Sequence, residues 1–127
     1  MKYIAIAVGG AAGALLRYSA SGLAVYYFKG IFPWGTLIVN LSGAFLVGLS
    51  WGIFEGSLID IHWRYFIFIG LLGGFTTFSS FCLENLNLMK SNETSAAMAN
   101  ILISNVGGLV LVFSGYMISK WLLTVLR

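Results

Sequence analysis

Four long apolar blocks alternate with three short polar breaks along the chain. The blocks run from Tyr3 to Phe28, Pro33 to Phe54, Arg64 to Met89 and Ser95 to Val125. Each is long enough to supply the ~20 residues a helix needs to cross the hydrocarbon core of a bilayer. The breaks KGIF, EGSLIDIHW and KSNET hold Lys29, Glu55, Asp60, Lys90 and Glu93, five of the eleven charged residues. Pro33 stands where a proline can open a helix, because its missing N–H has no partner to lose there. The pattern predicts an all-α integral membrane protein, one domain over residues 1–127, with four transmembrane helices at about 3–28, 33–54, 64–89 and 95–125. The first block, MKYIAIAVGGAAGALLRYSASG, superficially resembles a signal peptide, but Arg17 interrupts its apolar core and hydrophobicity resumes at LAVYYF, so it reads as a retained first helix.

The third block is irregular in its middle, LLGGFTTFSSFCLEN. Gly73 and Gly74 followed by the β-branched Thr76 and Thr77 weaken a helix, which predicts an interruption near Gly73 to Phe78. An interrupted membrane helix frees carbonyls that can hold a cation. Phe78 and Phe81, three apart, share a face of the resumed helix. They are either core aromatics or rings whose electropositive edges contact an anion. Other polar residues at membrane depth pair at helical spacing: Thr36 with Asn40, and Asn100 with Ser104. Groups of this kind glue helices together or line a solute path.

Composition narrows the chemistry. The chain has 127 residues, 59% hydrophobic and 9% charged, with mean hydropathy +0.93. A soluble domain carries about 25% charged residues. The net charge of +3 is spread along the chain and makes no basic stripe for nucleic acid. Cys82 is the sole cysteine, so there is neither an internal disulfide nor a thiol metal cluster. No Asp or Glu is expected deep in a span, with Glu84 one or two turns from an end and His62 in a loop. That disfavours proton-coupled export and metal transport, and no catalytic set points to an enzyme. Arg17 has two readings, snorkelling to an interface or attracting an anion. Lys2, Arg64, Lys120 and Arg127 flank one side, diluted by Glu55 and Asp60, and Lys29 and Lys90 the other, a weak orientation bias. Glycines recur at close-packing intervals as Gly9 with Gly13, as Gly48, Gly52 and Gly56, and as Gly70 with Gly74. Four thin helices offer few walls for a solute path, which points to an oligomer.

The stretches GGAAGALLRY, PWGTLIVNLSGAFLVG and GGFTTFSSFCLE, with the polar start of the last helix, resemble the small fluoride channels of the Fluc, or CrcB, family, in family order and over most of the chain. The resemblance implies an antiparallel, dual-topology homodimer in the lipid bilayer of the bacterial inner membrane, passing fluoride ion down its gradient and lowering its cytoplasmic concentration. It implies backbone carbonyls of Gly73 and Thr76 on one structural sodium ion, Na+, at the crossing of two broken helices. Phe78 and Phe81 become an aromatic box positioned by Asn40, Ser79, Ser80 and Ser104 supply hydroxyls, and Thr36 and Arg17 lie toward the vestibule. Two positions depart from the pattern: Asn100 stands where many relatives have tyrosine, and Gly108 where a serine is expected. The alternative is a small four-helix multidrug-type exporter, which wants a carboxylate midway along its first helix, where this chain has none.

Overall fold

A computed structural model of the chain describes all residues except Gly56, Leu58 and Arg127. The close-packing role expected of Gly56 and the flanking charge expected of Arg127 therefore lie outside the described residues. The described residues form helices without strands. Four spans are long and apolar enough to cross a membrane: Lys2–Tyr27, Trp34–Phe54, Ile61–Lys90 and Thr94–Val125.

Local chemistry sets their ends. Pro33 caps the second span. The third starts at Ile61, ahead of the expected Arg64, because the Asp60 side chain caps it, accepting from the His62 N–H at 2.7 Å and facing His62 Nδ1 at 2.6 Å. These two bonds, the backbone one foremost, hold the Asp60 carboxyl below its ordinary range. His62, expected in a loop, thus belongs to the first helical turn. Arg64 reaches back to donate to the Phe54 carbonyl at 2.8 Å, satisfying an orphan at the end of the second span. Glu55 closes the same corner, accepting from Tyr116 OH at 2.8 Å and pairing with Lys120 at 2.7 Å.

The first span packs along the third, and the second along the fourth, both through glycines. A Cβ on Gly9 would strike the Phe66 carbonyl, and one on Gly13 the Leu71 carbonyl. From the facing side, Gly74 leaves room for only 2.7 Å between its would-be Cβ and Gly10 O. In the other pair, Gly48 faces the Val112 carbonyl, Gly52 the Ser119 hydroxyl and Gly115 the Phe45 carbonyl, each too close for a side chain. Against Gly9 and Gly13 the third span is π-helical over Tyr65–Leu72, and the fourth is π-helical over Ile103–Gly107. The first of these wider turns lies just ahead of Thr76 and Thr77, and the second contains Ser104.

The packing predicts that Gly13→Val and Gly48→Val each cost at least about 1–3 kcal/mol, as overpacking does. Gly22→Ala, whose Cβ meets open space, should stay within roughly 0.5 kcal/mol of the parent. Thermal unfolding in detergent reads the difference, and a parent-like melt for Gly48→Val would contradict the backbone contact.

Candidate functional site

In the third span the helix ends at Phe75 and resumes at Phe78–Lys90. Thr76 (φ −81, ψ 157) and Thr77 (φ −148, ψ 120) between them are extended. Extended residues cannot keep the helical ladder, so their polar groups need other partners. The Thr76 N–H and hydroxyl both reach the Leu72 carbonyl at 3.0 Å. The Thr77 N–H donates to Asn40 Oδ1 at 2.8 Å, and Asn40 Nδ2 donates to the Thr77 carbonyl at 2.8 Å. One side-chain amide therefore pairs with both groups of a single backbone residue. The Thr77 hydroxyl caps the resumed helix, accepting from the Ser80 N–H at 3.3 Å and donating to Ser80 Oγ at 3.1 Å, with Ser79 Oγ at 3.3 Å.

These partnerships release two carbonyls. In an unbroken helix Gly73 O would accept from the Thr77 N–H and Thr76 O from the Ser80 N–H. Here the first amide serves Asn40 and the second serves the Thr77 hydroxyl. Arg17 Nη1 lies 3.5 Å from Thr76 O, longer than an ordinary hydrogen bond, which leaves that oxygen most of its accepting capacity. Neutral carbonyl oxygens freed in this way are of the kind that can accept a hard cation.

Two clefts meet at Thr77. One, of about 610 Å³, is lined by Arg17, Tyr18, Ser21, Thr36, Thr77, Ser80 and Glu84. The other, of about 310 Å³, is lined by Asn40, Thr76, Thr77 and Phe78 with Ala44, Val47 and Val112. Arg17, Thr36 and Ser80 thus come together on one side, and Asn40, Thr76 and Phe78 on the other. Gly73 and Ser79 are exposed at the margin of the break. The Phe78 and Phe81 rings lie 5.7 Å apart, tilted by 33°, and Phe78 is 76% exposed. Ser104 turns aside from both clefts, donating at 3.3 Å to Asn100, which is itself only 1% exposed.

Two residues matter more here than their spacing suggested. Thr77, expected only to weaken the helix beside Thr76, is the hinge of the site. Glu84 reaches into the larger cleft, where its Oε1 accepts from Thr36 at 2.6 Å while its buried Oε2 has no hydrogen-bond partner among the described residues. The signal was present, since Thr77, Ser80 and Glu84 recur at intervals of three and four and so form one helical stripe.

Residues 4–116 match the family described as CrcB-like protein, Camphor Resistance (CrcB). A protein of Parabacteroides distasonis named fluoride-specific ion channel FluC is 41% identical over 127 residues, covering 100% of this chain and 99% of its own length. Proteins of the same name from Salinibacter ruber and Shewanella amazonensis are 45% and 46% identical, covering 91% and 87% of this chain and 86% and 89% of their own lengths.

The geometry predicts unequal effects at Asn40. Asn40→Leu orphans the Thr77 N–H and carbonyl together, at a cost of roughly 1–3 kcal/mol. Asn40→Asp keeps the acceptor but sets a carboxylate oxygen against the Thr77 carbonyl, and should be at least as destabilising. Thermal unfolding in detergent checks both, and parent-like stability of Asn40→Asp would contradict the paired geometry.

Proposed function

The chain belongs to the CrcB family, and from that membership and the geometry of the broken span we propose that it is a passive, fluoride-selective channel of the bacterial inner membrane that lets fluoride leave the cytoplasm down its gradient. It is a multi-pass membrane protein and not an enzyme. The observation that carries the reading is the pair of extended threonines within the apolar third span, with Asn40, Ser79 and Ser80 at hydrogen-bonding distance of Thr77 and Arg17 Nη1 3.5 Å from Thr76 O.

A bare anion in a membrane needs groups that replace its water. Arg17 draws it into the larger cleft, where the Ser80 hydroxyl can donate, followed by Ser79 at the margin of the break, while the hydroxyls of Thr36, Thr77 and Ser104 are given to Glu84, Ser80 and Asn100. The Asn40 amide fixes the break beside Phe78 and Phe81, whose ring edges carry the positive part of the aromatic quadrupole. Each contact is individually weak, which suits an ion that must leave as readily as it arrives. The exporter reading lacks support, because the first span, Lys2–Tyr27, contains no carboxylate.

A second copy completes the site. Non-helical backbone at membrane depth persists only where protein or a water-filled cavity covers it, and here Gly73 and Ser79 face outward beside the break. Two chains crossing at their breaks cover these edges mutually, and the weak charge asymmetry permits opposite orientations. The carbonyls of Gly73 and Thr76 from both chains would hold sodium, which when bound supplies a fixed central charge and is not transported.

The test is efflux from liposomes loaded with fluoride or with chloride. Fluoride should leave and chloride should be retained. Phe81→Ile, which keeps bulk but removes the ring edge, should lower fluoride flux more than about tenfold, or ~1.4 kcal/mol in barrier, with the dimer intact. Complete replacement of sodium should abolish flux. Equal release of both anions would overturn the channel assignment. Full flux in Phe81→Ile would remove the aromatic contact, and flux indifferent to sodium would remove the central cation.

A further inference from the structure

We propose that Asn85 and Asn100 are positioning residues for Phe81, an amide pair that sets the angle at which the resumed helix presents its ring to the fluoride path. This rests on the reading that Phe81 borders that path. The two asparagines lie on different spans, joined by Asn100 Nδ2 donating to Asn85 Oδ1 at 3.1 Å. They are 1% and 6% exposed, so the pair is sealed inside the chain and lines neither cleft.

Three bonds run head to tail. Ser104 Oγ donates to Asn100 Oδ1 at 3.3 Å, Asn100 donates to Asn85, and Asn85 Nδ2 donates to the Phe81 carbonyl at 2.7 Å. All donors point the same way, so each bond polarises the next, and the chain ends on the backbone of the ring-bearing residue. Phe78, Phe81 and Asn85 fall at intervals of three and four and share one face of the resumed helix.

The helix needs such a hold. Because the span is broken, nothing in the preceding helix dictates the direction of Phe78–Lys90. It is held at its start by Asn40 of the second span, through Thr77, and two turns later by Asn100 of the fourth. Phe78 and Phe81 lie between these two amide clamps. An apolar pair would pack as well in a bilayer without fixing direction, whereas buried amides are costly in any arrangement that leaves them unpaired.

The test uses the full chain with 4-fluorophenylalanine at Phe81, or at Phe113 as a control, in reconstituted wild type, Asn85→Leu, Asn100→Leu and the double variant. Ring fluorine resonances, dimer retention and fluoride efflux are read together. In Asn100→Leu the Phe81 resonance should shift or broaden while the Phe113 resonance stays, and flux should fall several-fold with the dimer retained. The double variant should be no worse than the more severe single one, since either breaks the same chain. If Asn100→Leu does not assemble, Asn100→Ser, too short to reach Asn85, is read the same way. An unmoved Phe81 resonance, or additive losses in the double variant, would overturn the positioning role whatever the flux. Failure of the reading that Phe81 borders the path would show separately, as full fluoride flux in Phe81→Ile, and failure of the channel reading as equal release of fluoride and chloride.

Discussion

The side-chain amide of Asn40 takes the place of a peptide group where the third span has none to offer. In hydrocarbon an unpaired backbone group costs several kcal/mol, and a span that leaves helical geometry for two residues strands several of them. Two bonds of 2.8 Å from one asparagine satisfy both groups of Thr77. With its backbone so held, Thr77 can use its hydroxyl to start the next helix, and the carbonyls of Gly73 and Thr76 are freed of their helical donors. The cleft containing Arg17 and the cleft containing Phe78 meet at the same residue.

That interaction depends on the register of the second span. Thr36, Asn40 and Gly43 lie on one stripe of it, and each meets the third span near the break: Thr36 at Glu84, Asn40 at Thr77, Gly43 against the Thr76 methyl. The rotation of the stripe is locked from the other side by Gly48 and Gly52, which press on the backbone and the buried Ser119 of the fourth span. Glycine packing is therefore what aims the polar residues. A lipid-exposed bundle has no hydrophobic force to hold its helices, so close backbone contact takes over that task.

Much of this was legible in the sequence, for identifiable reasons. Four apolar blocks have one economical use in a chain with so little charge, and the intervals between Gly9 and Gly13 and between Gly48 and Gly52 marked faces of close approach that the chain uses internally. Asn40 could be singled out because an amide at membrane depth demands a partner. What could not be read was the partner itself. Asn100, grouped with Ser104 by spacing, turns inward to Asn85, a pairing set by the tight turn at Ser91 to Glu93 that folds the last two helices together. Asp60 moved the start of the third span ahead of Arg64 through a single cap, an effect too local for hydropathy to register. Glu84 was judged by its distance from a helix end, whereas its environment is set by Thr36 on another span.

The most direct measurement is hydrogen exchange of the Thr77 amide, resolved by NMR, in the parent protein and in Asn40→Ala. The parent amide should be protected although it lies outside any helix. In Asn40→Ala its exchange should quicken by about an order of magnitude or more, as expected for a lost bond worth roughly 1–3 kcal/mol, while the Thr76 amide, bonded to Leu72, keeps its protection. Equal protection of Thr77 in both proteins would mean that Asn40 does not complete the backbone at the break.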